Sequence, residues 1–179
     1  MTDATSITSV LVEPLSTTRG VLFRGSGSAT PSRSISNSEL GQRVETSDEW
    51  IRSRTGIAER RVVNSEESLA ELSGLAAERA LEMAGWSANS LDLILLATST
   101  PDDLFGSAPR LQARLGATHA AAFDLTAACS GFLFAVVTAA QYLRSGAMRR
   151  ILVVGADQLS RWVNWDDRRS CVLFGDAAG

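Results

Sequence analysis

The sequence is poor in the residues from which metal sites and disulfide frameworks are built. Its 179 residues include only two cysteines, Cys129 and Cys171, and one histidine, His119. With so few sulfur and imidazole ligands and no cluster of them, no metal-binding residue is predicted. Since no export signal is visible, the two cysteines are expected to remain reduced thiols in a cytoplasmic protein.

An excess of positive charge and a long apolar run are also missing. The formal net charge is -3, whereas a nucleic-acid surface needs a basic patch. No apolar run reaches the roughly 18 residues that a membrane helix requires. Residues 1–19 are rich in Ser and Thr and lack the basic start and apolar stretch of a signal peptide. They are interpreted as a disordered leader or as the product of a start codon placed too far upstream. Neither a nucleic acid nor a membrane is expected as a partner.

What is present favours an α/β fold. Hydrophobic residues make up 45% of the chain and charged residues 21%, which is typical of a globular domain. Alternating strands and helices predict a parallel or mixed sheet covered on both faces. Strands are predicted at 20–27, 91–97, 121–125 and 151–154, and a further one is predicted to begin at 171–174. Helices are predicted at 36–43, 46–56, 65–84, 107–115 and from 129 to 145.

Cys129 is the most informative residue. The short apolar strand predicted at 121–125 runs through small residues into this cysteine, and a long apolar helix follows. At the start of a helix, unpaired backbone N–H groups and the positive end of the helix dipole favour a thiolate. Such a thiolate is suited to hold an acyl group as a thioester. The alternative is that Cys129 is a small buried residue, the commoner fate of cysteine.

Three motifs occur in order along the chain: TSDEWI with RTGI at 46–57, FDL with AACSGF at 123–132, and FGD at 174–176. Together they resemble the β-ketoacyl-acyl-carrier-protein synthase III family, thiolase-fold enzymes that start fatty-acid synthesis. The resemblance covers about residues 20–179. It implies an α/β, thiolase-like fold: the N-terminal βαβαβ-type half of a five-layer αβαβα architecture, with a mixed sheet. We therefore predict a leader over 1–19 and an incomplete, truncated N-terminal domain over 20–179.

The resemblance also implies a reaction. In this family a cysteine, matched here by Cys129, takes an acetyl or similar short acyl group from acyl-CoA. The acyl group then condenses with malonyl-acyl-carrier protein, with loss of carbon dioxide, to give a 3-oxoacyl product. The implied partners are acyl-CoA, malonyl-acyl-carrier protein and a second copy in a homodimer. No permanently bound cofactor is expected, because acyl-CoA is a substrate.

Four residues match the family's coenzyme A site. Trp50 matches the aromatic residue on which adenine stacks, and Arg168 matches the arginine on the other face of that ring. Arg54 and Thr46 match positions that hold the nucleotide near the tunnel mouth. Each residue also has an ordinary structural interpretation. These are core packing for Trp50, a helix-dipole partner for Arg54, helix capping for Thr46, and for Arg168 an ion pair with one of the two preceding aspartates.

The loop with Leu104 and Phe105 matches one that reaches the acyl pocket of the neighbouring subunit. These two residues are therefore expected to influence the choice of acyl chain length.

The condensation step implied by the resemblance also needs a histidine and an asparagine that this sequence does not match. His119 lies outside the family's motif and is expected to be solvated. We predict that the chain as given cannot run the whole reaction, and that its apolar helix after Cys129 lacks a cover.

Three alternatives remain. They are a type III polyketide synthase-like condensing enzyme, a non-catalytic remnant that pairs with a full-length homologue, and a Rossmann domain. The last is disfavoured because Gly25-Ser26-Gly27 lacks the third glycine of the fingerprint.

Overall fold

The computed structural model describes residues 20–179, so the predicted leader lies outside the described residues. The described chain contains six strands and six helices. The strands are β1 (Arg33–Ser36), β2 (Glu59–Val62), β3 (Leu93–Ala97), β4 (Ala121–Leu125), β5 (Ile151–Gln158) and β6 (Asp176–Ala178). The helices are α1 (Asn37–Leu40), α2 (Asp48–Thr55), α3 (Leu69–Ala84), α4 (Ala108–Leu115), α5 (Gly131–Ser145) and α6 (Arg168–Cys171).

The larger sheet has the order β4-β3-β5-β6 and is mixed, as predicted. Strand β3 is parallel to both β4 and β5, whereas β6 pairs antiparallel with β5. Every residue of β3 is buried, because successive side chains point to opposite faces and both faces are covered. Ile94 and Leu96 pack towards α3 and α4, and Leu93 and Leu95 pack towards α5. The result is three layers, with helices on both sides of the sheet.

A second apolar cluster lies beneath the antiparallel β1–β2 pair. We call it the hairpin cluster, and its buried members are Ile35, Leu40, Ile51, Val62, Cys171 and Val172. Helices α1, α2 and α6 each contribute to it. Neither β1 nor β2 was predicted from the sequence, because each has only four residues and each exposes polar side chains. Such short strands show little of the alternation that identifies a half-buried strand.

Most helix ends follow the local signals in the sequence. Ser47 and Ser68 accept the backbone N–H three residues further on, at the starts of α2 and α3. Gly56 and Gly85 end these helices in the left-handed conformation, which glycine adopts without steric cost. Helix α1 is capped by Ser36 but ends at Leu40 rather than at residue 43, because three-residue turns replace helical bonds there.

Two of the predicted strands are wrong. Residues 20–27 run extended but form no strand, and only Ala29 pairs, with Ala178. This segment lies against α3, where a Cβ at Gly27 would collide with the carbonyl oxygen of Ala76. At 171–174 the chain forms no strand, because this segment contains the end of the short helix α6. The Asp167 side chain starts that helix by accepting the Arg169 N–H. The strand comes later, as β6.

Helix α5 is only partly buried. Its residues Ala135 and Ala139 are buried against the sheet, but Phe132 is half exposed. Met83, near the end of α3, is also exposed. Among residues 20–179, no helix combines the length and apolar character needed to cross a membrane. Within the same residues, no three His, Cys, Asp or Glu side chains are placed to share a metal ion.

Candidate active site

Cys129 lies on a tight turn between β4 and α5. Strand β4 ends at Leu125, a single 3₁₀ turn spans Ala128–Ser130, and α5 begins at Gly131. Ala128 has a φ of 47°, in the left-handed region that costs a non-glycine residue about 1 kcal/mol or more. Backbone strain of this kind occurs most often at functional sites. The turn leaves Cys129 exposed, so the interpretation of Cys129 as a buried packing residue is wrong.

The start of α5 has no side-chain cap. Ser130 precedes the helix, and its hydroxyl accepts no capping hydrogen bond. The first-turn N–H groups of a helix carry a partial positive charge, and within residues 20–179 no side-chain cap satisfies them here. The thiol of Cys129 therefore lies beside the end of the helix that favours negative charge, where the sequence predicted it.

A cleft of about 410 Å³ opens beside Cys129. It lies at the carboxyl ends of β3 and β5, the edge at which α/β folds bind ligands. Ala97, Phe132 and Gly155 line it together with the cysteine. A Cβ at Gly155 would lie 3.1 Å from the ring of Phe132, so a larger residue here would push that ring by a few tenths of an ångström. The cleft is walled mostly by small side chains, which leaves room for a short acyl group.

Asp157, which sequence reasoning missed, also lines the cleft. Its carboxylate accepts the Ser99 N–H at 2.7 Å and the hydroxyls of Thr98 and Thr100 at 3.2 Å each. These bonds join the loop after β3 to β5. The sequence signal was an aspartate near the end of an apolar strand, beside a Thr-Ser-Thr loop.

Asp124 holds the next loop in the same way. Its two carboxylate oxygens accept the N–H groups of Ser107 at 2.8 Å and Ala108 at 2.6 Å. This carboxylate therefore anchors the start of α4 to β4, five residues before Cys129. The loop leading into α4 carries Leu104 and Phe105, which are 93% and 89% exposed. Neither lines the cleft beside Cys129.

The structure brings Trp50, Arg54 and Arg168 together, although 114 residues separate the last two in the sequence. The guanidinium carbon of Arg54 lies 4.5 Å from the centre of the Trp50 ring, and that of Arg168 lies 4.8 Å from it. Arg168 also donates to the carbonyl oxygen of Glu45 at 2.8 Å. We call these three residues the tryptophan clamp. Guanidinium groups at such distances are held by cation–π attraction.

Two of the structural alternatives do not hold. Ser47, not Thr46, caps α2, and the buried hydroxyl of Thr46 has no hydrogen-bond partner among residues 20–179. Asp167 pairs with Arg169 at 3.0 Å rather than with Arg168. The alternative for Arg54 agrees with the structure, since this residue does lie in the last turn of α2. Thr46 and Arg168 thus lack the local roles that would explain them fully.

The remaining histidine and cysteine lie away from this chemistry. His119 is exposed on the turn before β4, at the opposite end of that strand from Cys129. Cys171 is buried in the hairpin cluster, and burial raises the pKa of its thiol. A buried thiol of raised pKa is a poor nucleophile. Cys129, in contrast, is exposed.

Comparisons with known proteins agree with the motifs. The family model of 3-oxoacyl-[acyl-carrier-protein] synthase III matches residues 123–179. The β-ketoacyl-[acyl-carrier-protein] synthase III of Prochlorococcus marinus strain MIT 9313 is 74% identical over 160 residues, which is 89% of this chain and 47% of that protein. The chain thus spans about half the length of the curated relatives it matches.

Solved structures support the same assignment. The 3-oxoacyl-[acyl-carrier-protein] synthase III from Aquifex aeolicus VF5 is 46% identical, with a TM-score of 0.84 over 87% of this chain and 50% of that one. The priming β-ketosynthase from the R1128 polyketide biosynthetic pathway is 35% identical, with a TM-score of 0.88 over 93% of this chain and 50% of that one. The fold is thiolase-like, and the chain belongs to the β-ketoacyl-acyl-carrier-protein synthase III family.

Proposed function

We propose that this chain carries the acyl-accepting site of a β-ketoacyl-acyl-carrier-protein synthase III, the condensing enzyme that starts fatty-acid synthesis. One observation carries the proposal: Cys129 is exposed on a strained turn at the uncapped start of α5 and faces a cleft. A nucleophilic cysteine needs this combination of access and a positive local field.

The first step is acyl transfer from coenzyme A to Cys129. The thiolate attacks the thioester carbonyl carbon of acetyl-CoA or of a similar short acyl-CoA. The carbon–sulfur bond to coenzyme A then breaks, and the departing thiolate takes up a proton. The backbone N–H of Cys129, near the start of α5, is suited to donate to the oxyanion that forms on the carbonyl oxygen. In the whole enzyme, the acyl group then condenses with malonyl-acyl-carrier protein and carbon dioxide is lost.

The tryptophan clamp is the proposed site for the adenine of coenzyme A. A base inserted between Trp50 and Arg168 needs about 7 Å between them, twice a van der Waals contact of about 3.5 Å. The present separation is 4.8 Å, so Arg168 has to swing away from the indole when the nucleotide binds. Thr46, whose buried hydroxyl has no partner among residues 20–179, is proposed to help hold the nucleotide, and the exposed Arg54 is available to a phosphate.

The remaining assignments follow from the same proposal. The enzyme works as a cytoplasmic homodimer, without a permanently bound cofactor and with malonyl-acyl-carrier protein as its second substrate. The exposure of Leu104 and Phe105 at a loop tip supports a contact with the neighbouring subunit. At that contact, these two side chains would limit the length of the acyl chain.

Labelling with radioactive acetyl-CoA tests the proposal. The wild-type protein is expected to take up label that neutral hydroxylamine releases, as it does from a thioester. Cys129→Ala is expected to lower labelling by about two orders of magnitude, because the nucleophile is gone. Cys171→Ala is the matched control and is expected to label like the wild type. Equal labelling of Cys129→Ala and the wild type would overturn the assignment.

A second candidate is a condensing enzyme of polyketide synthesis. The likeness to a priming β-ketosynthase, at a TM-score of 0.88, favours it. An enzyme that starts fatty-acid synthesis and one that makes polyketides differ in the extender unit that they use or in the product that they make. Product analysis with malonyl-acyl-carrier protein and, separately, with malonyl-CoA distinguishes them, and product from malonyl-CoA alone would favour a type III polyketide synthase-like enzyme.

A further inference from the structure

Arg60, on β2, is a buried arginine without an acidic partner. The residue is only 4% exposed, and no ion pair found among residues 20–179 includes it. Burial lowers the pKa of this guanidinium. A buried charge without a counter-ion is unfavourable for stability, so simple packing does not account for an arginine at this position.

The guanidinium joins β2 to two other segments, the junction of β1 with α1 and the chain directly after α6. Nη1 donates to the Ile35 carbonyl oxygen at 2.9 Å, on β1. Nη2 donates to the Asn37 side-chain oxygen at 2.7 Å, at the start of α1, and to the Val172 carbonyl oxygen at 3.3 Å, directly after α6. A planar guanidinium, which holds several donors in a fixed fork, is suited to reach these acceptors at once.

Asn37 extends these contacts to α2. Its side-chain nitrogen donates to Asp48 at 2.8 Å and to the Ile57 carbonyl oxygen at 2.8 Å, so that both ends of α2 are held. Asp48 is the first residue of α2, and hydrogen bonds from Arg52 and then from Asn37 lower the pKa of its carboxyl group. Hydrogen bonds therefore run without interruption from the start of α2 through Asn37 and Arg60 to the end of α6.

These two helices carry the tryptophan clamp. Trp50 lies two residues after Asp48 on α2, and Arg168 begins α6. The relative placement of the two helices sets the positions from which the side chains of Trp50 and Arg168 approach each other. A change at Arg60 therefore reaches the clamp although Arg60 does not itself belong to it.

We propose that Arg60 is a positioning residue for the tryptophan clamp, because it fixes α2 and α6 relative to each other through Asn37 and the Val172 carbonyl. The part of this inference that concerns coenzyme A rests on the proposed function. The part that concerns the geometry of Trp50 does not depend on it.

The test combines ¹⁹F NMR with coenzyme A binding. Protein containing 5-fluorotryptophan gives a Trp50 resonance that a Trp50→Phe variant identifies. Arg60→Met is expected to shift or broaden this resonance and to weaken coenzyme A binding, measured by calorimetry, by about tenfold. Arg61→Met is the matched control. Arg61 is the next residue on β2, but its long bonds go to the carbonyls of Pro31 and Ser32, so neither measurement should change.

Arg60→Lys provides the second variant if Arg60→Met does not fold. A lysine keeps the charge but lacks the planar fork that reaches Val172. The Trp50 resonance is therefore expected to shift in this variant too, but by less than in Arg60→Met. A merely structural role would lower the melting temperature and leave the Trp50 resonance of the folded protein in place. A folded Arg60→Lys or Arg60→Met protein with an unchanged Trp50 resonance would overturn the inference, even if coenzyme A binds. If the Trp50 resonance changes in the Arg60 variants as expected but the wild-type protein binds no coenzyme A, only the proposed function is overturned.

Discussion

Helices α3 and α5 lie on opposite faces of the same sheet, and they are buried to very different extents. Helix α3 buries eight of its sixteen residues, whereas α5 buries three of its fifteen, all of them Gly or Ala. On α5 the exposed residues include Phe132, Leu133, Phe134 and Val137. Helix α5 is therefore the more apolar of the two helices and yet has the fewer buried residues.

The contrast shows that the sheet alone does not explain the composition of α5. A helix that is apolar all round is normally buried on all sides, and the resemblance to a five-layer fold implies a second layer over this face. The N-termini of the two helices also differ, in how their backbone N–H groups are capped. Ser68 and the carboxylate of Asp102 accept N–H groups at the start of α3, whereas the start of α5 has no side-chain cap and carries Cys129 just before it.

The largest expected effect is on stability. Leu72→Ala, in α3, is expected to lower the free energy of unfolding by about 2–5 kcal/mol, because Leu72 is buried and its loss leaves a cavity. Leu133→Ala, the matched change in α5, is expected to cost less than about 0.5 kcal/mol, because this side chain is 65% exposed. Urea denaturation measures both. Equal losses would show that α5 is covered in solution.

A smaller effect is expected on dye binding. Exposed contiguous apolar surface binds anilinonaphthalene sulfonate, and Leu133 and Phe134 are both exposed on α5. The double variant Leu133→Gln/Phe134→Gln is expected to weaken dye binding by about tenfold, or about 1.4 kcal/mol. Leu75→Gln, at an exposed leucine of α3, is the control and should change little. If the control weakens the dye equally, the contrast between the helices is wrong.

The smallest effect is expected when the serines that precede α3 and α5 are changed, and it is an effect on the free energy of unfolding. Ser68→Ala is expected to cost about 1 kcal/mol, because the Glu71 N–H loses its acceptor. Ser130→Ala is expected to leave the free energy of unfolding nearly unchanged, because this hydroxyl caps nothing. Thermal melts at neutral pH compare the two variants. A loss at Ser130 as large as at Ser68 would mean that the start of α5 is capped after all.

The parts of the fold that sequence analysis predicts well are those with a strong local signal. Strand β4 was predicted with its observed bounds, and the core of β3 was predicted because every residue from 93 to 97 is apolar. Cys129 stood out because a strand, small residues and an apolar helix follow one another there. The motifs then identified the tryptophan clamp, which spacing alone could not, because its members come from distant segments.

The elements that escaped prediction depend on tertiary contacts. Strand β6 is three residues long and is defined by its register with β5, not by an apolar pattern. Helix α6 is a single turn whose only local signal is the side chain of Asp167. Arg60 has the sequence signature of a solvated charge on a polar strand, and only the packed structure shows that it is buried. Asp124 and Asp157 likewise gain their roles from loops that fold back onto the sheet.

The left-handed alanine at position 128 limits how far this turn can be altered. A branched residue there would force the backbone out of its path and turn the sulfur away from the cleft. Glycine would relieve the strain, but it would let the sulfur sample more orientations. The turn thus gives up some folding free energy in return for a narrow distribution of thiol positions, and a more stable turn would hold the thiol less tightly.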